Sequence, residues 1–107
     1  MRWVVETLDA RVDREIADLP NGLRARLVRL MELVEVKGPQ ALREPHARHL
    51  DGPLWELRAK AQEGIARGVY VAVTGQRVVI LHIFVKKTDK LPRRAWSIAV
   101  ERLKEVR

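Results

Sequence analysis

Apolar side chains in the first third of the chain recur at the spacing of amphipathic α-helices. The stretch from Arg2 to Leu8 is β-branched and apolar and predicts a short strand. Asp9 can cap a helix that follows it, and Pro20-Asn21-Gly22 breaks that helix after Leu19. A second helix, ended by Lys37-Gly38-Pro39, carries one aliphatic stripe toward a core. The stripe consists of Leu23, Leu27, Leu30 and Val34.

From Leu54 onward, apolar residues recur at every second position, as in a β-strand, rather than at helical spacing. From Leu54 to Ala61, apolar residues alternate with charged ones, which predicts a strand with one buried and one open face. The expected buried positions are Trp55, Leu57 and Ala59, and the open ones are Glu56, Arg58 and Lys60. Turns at residues 62–64 and 74–76 lead to two more strands, Ile65 to Val73 and Arg77 to Val85. Three sequential antiparallel strands are therefore predicted.

Two less regular stretches flank these strands. Residues Gln40 to Gly52 are polar and interrupted by Pro45, so we predict a short helical turn and a loop there. Beyond the last strand, Thr88 or Asp89 can cap a final helix. The expected buried face of that helix consists of Trp96, Val100 and Leu103.

This order of elements predicts an α+β fold in a single domain, residues 1–107. The two N-terminal helices are expected to pack on one face of a small antiparallel sheet of β-α-α-β-β-β-α order. The chain contains no cysteine, which excludes a disulfide framework, a thiolate zinc site and a cysteine nucleophile. Since no apolar run approaches the ~20 residues of a membrane span, we expect a cytoplasmic protein with no membrane partner.

The two faces of the last predicted strand differ in chemistry. Its aliphatic positions, expected to pack on the helices, are Val79, Leu81, Ile83 and Val85. The opposite face carries His82, Phe84 and Lys86, and Arg58 and Lys60 can join them if the strand register permits. Cations pair with phosphates and aromatic rings stack on bases, so such a face suits single-stranded RNA.

The net charge of +7 is concentrated in one segment of the chain. Nine basic residues and two acidic ones lie between Arg58 and Arg94, and the rest of the chain is balanced. This distribution favours an anionic partner, with nucleic acid as the commonest candidate. The alternative at this point is a solvated basic surface that keeps the protein soluble.

Cleavage of RNA needs a base for the 2′-hydroxyl, an acid for the leaving 5′-oxygen and positive charge at the phosphorus. The sequence offers arginine, lysine and His82 but no conspicuous carboxylate cluster, which favours metal-free chemistry without a cofactor. An equal alternative for His82 is a strand histidine hydrogen-bonded beside the core. His46 and His49 have metal-ligand spacing but no third ligand nearby, so we predict no metal site.

Two segments carry a resemblance to a known family. Residues 54–58 read LWELR and residues 82–92 read HIFVKKTDKLP. Both are similar to the signature segments of phage-derived RelE/HigB-type toxins, and chain length, element order and basic balance agree. The resemblance implies a RelE-like fold and the toxin of a type II toxin-antitoxin system. It further implies an endoribonuclease that cleaves messenger RNA in the ribosome and is inhibited by a cognate antitoxin, expected to carry a helix-turn-helix.

The same resemblance implies roles for individual residues. Arg58 is predicted to stabilise the transition state or bind phosphate, and Arg67 to occupy the equivalent basic position on the next strand. Lys86 and Lys87 are predicted to contact phosphate or transfer protons, and His82 is a further catalytic candidate. The predicted RNA contacts are Lys60, Phe84, Lys90, Arg93 and Arg94. Glu56 either orients Arg58 or forms an ordinary cross-strand pair.

The chain departs from the family pattern at two places. Gly68 follows Arg67 where the family usually has an aromatic or β-branched residue, which predicts a flexible or bulged strand. The tyrosine that many RelE-type toxins carry near the C-terminus is also missing, which gives His82 more weight. Two other functions stay open. One is a catalytically inactive RNA-binding or DNA-operator corepressor of the same fold, and the other is an interaction adaptor without an RNA role.

Overall fold

Nine short elements build the fold in the computed structural model, which describes residues 2–43, 45–85 and 91–106. In chain order they are β1 (Val4–Thr7), α1 (Ala10–Ala17), α2 (Asn21–Lys37), the 3-10 turn Pro39–Ala41, β2 (Ala47–Asp51), β3 (Leu54–Ala61), β4 (Gly64–Val73), β5 (Arg77–Val85) and α3 (Arg93–Leu103). The sheet order is β1-β5-β4-β3-β2, with β1 parallel to β5 and every other pair antiparallel. The predicted α+β class is confirmed. Within the described part of the chain, no helix is long and apolar enough to cross a membrane.

The two N-terminal helices form as their sequence predicts. The side chain of Asp9 accepts a hydrogen bond from the backbone N–H of Arg11 and so caps α1. The first backbone N–H groups of α2 have no acceptor within the helix. That of Gly22 donates instead to a side-chain carboxylate oxygen of Glu63, 2.8 Å away. Gly38 follows α2 with φ of +86°, a conformation that favours glycine. All four residues of the predicted α2 stripe are buried against the sheet.

The strand β2 lies in the stretch predicted as a loop. It forms one edge of the sheet and pairs with β3, with Ala47 opposite Leu57. Only Ala47 of this strand is buried, and Arg48 and His49 are exposed. An edge strand with one buried residue leaves no alternation of apolar and polar positions, so the prediction of a loop was wrong.

Helices cover both faces of the sheet, which therefore has two cores. On one face α1 and α2 pack over residues that include Leu57, Tyr70 and Ile80. On the other face α3 packs over Val69, Val71, Val79 and Leu81, with Ala99 as its fully buried contact. The helix α3 begins at Arg93 with Pro92 at the N-cap position. The caps suggested from the sequence, Thr88 and Asp89, lie outside the described residues.

A bulge in β5 changes which side chains share a face. Tyr70 of β4 pairs with Ile80 and Val69 pairs with His82, so Leu81 is an extra residue in β5. As a result Val79 and Leu81 belong to the core under α3, whereas Ile83 belongs to the core under α1 and α2. The prediction that Val79, Leu81, Ile83 and Val85 form a single aliphatic face was therefore wrong.

Two further details of the strands differ from the prediction. Gly68 keeps regular pairs with Leu57 and Ile83, so it is not the bulged residue. The register shifts between Val69 and Tyr70, opposite Leu81 of β5. A Cβ atom at Gly68 would lie 2.4 Å from Cδ1 of Ile83, so a larger residue here would have to displace the Ile83 side chain. Trp55, expected to be buried, is 39% exposed and lines a cleft with Trp3.

Candidate functional site

Charged and aromatic side chains cross three strands on the sheet face that carries α3, beside the area that the helix covers. Arg58 of β3 lies opposite Arg67 of β4, and Arg67 lies opposite Phe84 of β5. Glu56 and His82 both pair with Val69 and complete the group on the same face. We call these five residues the charged row: Glu56, Arg58, Arg67, His82 and Phe84. The structure thus brings together four residues that the sequence analysis predicted as site residues.

A buried carboxylate lies at the centre of the charged row. Glu56 is fully buried, although the alternating pattern placed it on an open face. Its Oε1 accepts a hydrogen bond from Nε of Arg58 at 3.0 Å, and its Oε2 accepts one from Nε of Arg67 at 2.8 Å. Nη2 of Arg67 also donates to Oε2. One carboxylate therefore compensates two guanidinium groups, which leaves a formal charge of +1.

The two arginines differ in their access to solvent. Arg67 is 2% exposed, and its guanidinium carbon lies 5.9 Å from the centre of the Phe84 ring. The side chain of Arg58 is 26% exposed while its Nε is held by Glu56. Arg58 is therefore the guanidinium that the charged row presents to a ligand, and Arg67 supports it from the interior.

His82 lies at the β5 end of the charged row and is 8% exposed. Its ring stacks on Phe84 with a centroid distance of 5.2 Å and an interplanar angle of 25°. Its Nδ1 is 3.0 Å from Oε1 of Glu15, which reaches the sheet from α1. The geometry of this contact lies outside that of an aligned hydrogen bond, so the contact is electrostatic.

Glu15 has three neighbours at the edge of β5. Its Oε1 accepts a hydrogen bond from the backbone N–H of Ile83 at 3.0 Å, and its Oε2 accepts one from Nη1 of Arg102 at 2.8 Å. Burial by itself raises the pKa of Glu15, but the contacts with His82, Ile83 and Arg102 outweigh burial and hold that pKa below its ordinary value. The carboxylate is therefore ionised at neutral pH.

The remaining predicted site residues are separate from these contacts. Lys60 is exposed on the same face of β3, two residues beyond Arg58. Arg93 and Arg94 are exposed in the first turn of α3. Lys86, Lys87 and Lys90, predicted to contact phosphate or RNA, lie outside the described residues.

The histidine pair considered as a metal site makes local contacts instead. Nε2 of His49 lies 2.8 Å from the carbonyl oxygen of Gly52, and its ring meets Trp55 edge-on at 5.0 Å. Among residues 2–43, 45–85 and 91–106, no three His, Asp or Glu side chains are grouped so that they could hold a metal ion. Arg58 and Phe84 are the partly exposed members of the charged row, so the row presents one guanidinium and one aromatic ring to solvent.

Sequence reasoning did not single out Glu15 or Arg102. Both belong to amphipathic helices in which charged residues ordinarily face water, and neither is part of a motif. Their contact with β5 depends on the packing of α1 and α3 at one sheet edge. A single sequence contains no signal for that packing.

A family model and two solved structures are similar to this chain. The model described as "Phage derived protein Gp49-like (DUF891)" matches residues 14–104. A structure of a mutant Escherichia coli toxin RelE in the free state has a TM-score of 0.68 at 16% identity, covering 96% of this chain and 99% of that one. The archaeal RelE-RelB complex from Pyrococcus horikoshii OT3 gives a TM-score of 0.60 at 21% identity, covering 79% and 96% respectively. No curated protein sequence is significantly similar.

Proposed function

Since the chain belongs to the Gp49-like family of phage-derived proteins and has a RelE-like fold, we propose that it is the toxin of a type II toxin-antitoxin system and an endoribonuclease. Its substrate is messenger RNA bound to the ribosome. The observation that carries this proposal is the partly exposed Arg58, held by a buried carboxylate beside an aromatic ring and an imidazole. Such a fixed cation is suited to a phosphate whose charge increases during the reaction.

The chemistry is transfer of the phosphodiester to the neighbouring ribose oxygen. The 2′-oxygen forms a bond to phosphorus, the bond from phosphorus to the 5′-oxygen breaks, and a 2′,3′-cyclic phosphate and a 5′-hydroxyl result. A base takes the proton of the 2′-hydroxyl, and an acid gives one to the 5′-oxygen. Arg58 stabilises the phosphorane, and His82 is the described residue able to transfer a proton. Lys86 and Lys87 supply further positive charge or proton transfer.

RNA binding uses the rest of the same face. Phe84 offers a ring on which a base can stack, and Lys60 offers a cation for the backbone. Arg93 and Arg94 add positive charge in the first turn of α3, and Lys90 is a further proposed RNA contact. The groups of the charged row perform this chemistry without a metal ion or cofactor.

The proposed regulator is a cognate antitoxin of the helix-turn-helix class, encoded beside the toxin. A structurally similar protein was solved as a RelE-RelB complex, which supports an antitoxin partner. Acidic residues in a segment that covers the charged row would make association fast, since electrostatic attraction to a basic surface raises the association rate. Apolar residues in that segment would hold the complex once it has formed.

Induction of the gene in a bacterial host tests the proposal. The wild type is expected to arrest growth and translation, and mapped messenger RNA fragments are expected to have 5′-hydroxyl and 2′,3′-cyclic phosphate ends. Arg58→Ala should relieve the arrest at equal expression. Arg29→Ala, which removes an exposed arginine on α2, is the matched control and should remain toxic. Fragments with 3′-hydroxyl and 5′-phosphate ends, or full toxicity of Arg58→Ala, would contradict the mechanism.

One observation favours a second function, that of a catalytically inactive RNA-binding or operator-binding subunit. Arg67 and His82 are both nearly buried, so within the described row few catalytic groups reach solvent. In that case the wild type binds nucleic acid with strong salt dependence but produces no fragments. Single substitutions such as Arg58→Ala would then lower the affinity for nucleic acid moderately, and neither the variants nor the wild type would cleave RNA.

A further inference from the structure

The strand β5 loses its neighbour half-way along its length. The register of β1 with β5 ends at the pair Thr7 and Ile80, and the backbone N–H of Leu8 makes one further hydrogen bond to the carbonyl of Ile80 at 3.0 Å. From Leu81 to Val85, no strand of the described chain lies on that side of β5. Backbone groups at such an edge need other partners, because an unpaired buried N–H or C=O group is costly.

Two side chains from opposite faces of the sheet replace the missing strand. Glu15 of α1 accepts the N–H of Ile83, and Nη1 of Arg102 of α3 donates to the carbonyl of Leu81 at 2.8 Å. The same Nη1 also donates to Oε2 of Glu15, so the two side chains are joined to each other. The edge of β5 is therefore fixed on both sides of His82 at the level of the bulge.

The position of the Glu15 carboxylate has a direct consequence for the imidazole of His82. Oε1 lies 3.0 Å from Nδ1, and an ionised carboxylate oxygen is an acceptor only. If Nδ1 also had a lone pair, two acceptors would face each other at contact distance. The proton of the neutral ring is therefore favoured on Nδ1, which leaves Nε2, the nitrogen on the far side of the ring, with its lone pair.

We propose that Glu15 is a positioning residue that fixes the ring orientation and the tautomer of His82, with Arg102 holding Glu15 in place. Its catalytic consequence rests on the proposed function, in which His82 transfers a proton. Glu15 itself touches no substrate in that mechanism. The tautomer of His82 is a property of the protein alone and can be measured whether or not RNA is cleaved.

The first test is nitrogen-15 NMR of the histidine rings in the purified full-length protein. The chain has three histidines, and His82→Gln identifies the signals of His82. At about pH 8.5, where an unperturbed imidazole is neutral, the wild type is expected to have the His82 proton on Nδ1. His49 is an internal reference of the opposite tautomer, because its Nε2 faces the Gly52 carbonyl at 2.8 Å. A proton on Nε2 of His82 in the wild type would overturn the proposal without any variant.

Two substitutions complete the NMR test. Glu15→Ala is expected to shift the His82 proton toward Nε2 while His49 keeps its tautomer, which shows that the protein is folded. Glu15→Gln retains an oxygen that can accept from the backbone N–H of Ile83 and face Nδ1, so it should restore part of the wild-type signal. If His82 keeps its proton on Nδ1 in folded Glu15→Ala, the assigned role of Glu15 is wrong.

The second test measures RNA cleavage on programmed ribosomes. Glu15→Ala should lower kcat by about 10- to 100-fold with KM little changed, because a displaced catalytic group affects the chemical step. Glu101→Ala is the matched control, since Glu101 is exposed on α3 and pairs only with Lys104 among the described residues. Equal rates for Glu15→Ala and Glu101→Ala would overturn the positioning role. If the wild type cleaves nothing, the proposed function fails, while the NMR result still decides whether Glu15 sets the ring.

Discussion

Substitution Glu56→Gln isolates the effect of one buried charge in the centre of the charged row. Glutamine has nearly the same shape and still offers one oxygen to the two arginines, so packing changes little. The negative charge is lost, however, so the guanidinium of Arg67, which is 2% exposed, loses its ion pair with Glu56. Arg58 is affected less, because its partly exposed guanidinium can hydrate.

The magnitude follows from the cost of leaving a buried charge without its partner. Breaking a buried ion pair by removing one member costs about 3–5 kcal/mol. A domain of this size has a total free energy of unfolding of about 5–15 kcal/mol. We therefore expect Glu56→Gln to remove about a fifth or more of the stability. With an m-value of about 1.5 kcal/mol per molar urea, a loss of about 4 kcal/mol lowers the urea midpoint by roughly 2.5 M.

Equilibrium urea unfolding followed by tryptophan fluorescence is the assay. Glu101→Gln is the matched control, because Glu101 is 72% exposed and its pair with Lys104 measures 3.4 Å. That control should stay within about 0.5 kcal/mol of the wild type. The double substitution Glu56→Leu with Arg67→Met should cost less than Glu56→Gln alone, because no buried charge remains. A loss below about 1 kcal/mol in Glu56→Gln, or a double variant less stable than the single one, would refute the reasoning.

Three further predictions concern the fold. Gly68→Ala should lower stability by about 1–3 kcal/mol in thermal unfolding, because its Cβ would meet Cδ1 of Ile83 at 2.4 Å. Adding Ile83→Val removes that Cδ1 atom and should recover part of the lost stability. If the losses of the two single substitutions simply add in the double variant, the clash is not the cause. Glu63→Gln should cost about 0.5–1 kcal/mol by weakening the acceptor for Gly22 at the start of α2, whereas Gln62→Ala in the same turn should be neutral. Burial raises the pKa of Tyr70 from 10.0 to about 12, which an ultraviolet titration of this single tyrosine can measure. Between those two pH values Tyr70 is deprotonated in the unfolded chain but still protonated in the folded one, so the stability that Tyr70 contributes falls as the pH rises. A titration midpoint of Tyr70 near 10.0 would show that Tyr70 makes no such contribution.

The sequence predicts the elements that have a strongly patterned surface. The bounds predicted for β3 and β5 agree with the observed ones, Leu54–Ala61 and Arg77–Val85, because both strands have a run of alternating or continuous apolar residues between turn signals. The α2 stripe is equally well predicted, since a helix with one buried side produces a clear period. In these elements, local pattern and tertiary burial agree.

The features that depend on neighbouring strands could not be predicted. The strand β2 has one buried residue, so its pairing with β3 leaves no trace in its own sequence. The bulge at Leu81 depends on the register between β4 and β5, and a purely aliphatic run looks the same with or without it. Both features are set by pairing across the sheet rather than by the residues of one strand.

The candidate site shows the same limit at the level of single side chains. Alternation placed His82 and Phe84 on one face, but only the observed register shows that Arg58 joins them. Alternation also placed Glu56 on an open surface. In the structure Glu56 and Arg67 are buried because each is the other's partner across two strands. A single sequence shows two charged residues eleven positions apart and cannot show that they neutralise each other.

The pairing of Glu56 with Arg67 also decides which arginine variant can report on catalysis. Removing Arg67 leaves a fully buried carboxylate with one partly exposed partner, so a loss of activity there is inseparable from a loss of folding. Removing Arg58 leaves Glu56 bonded to Arg67, and only the exposed end of the charged row is lost. Arg58→Ala should therefore retain most of the wild-type stability while it abolishes toxicity. An unfolding midpoint of Arg58→Ala as low as that of Glu56→Gln would show instead that Arg58 belongs to the folding core, and its loss of toxicity would then carry no information about the chemistry.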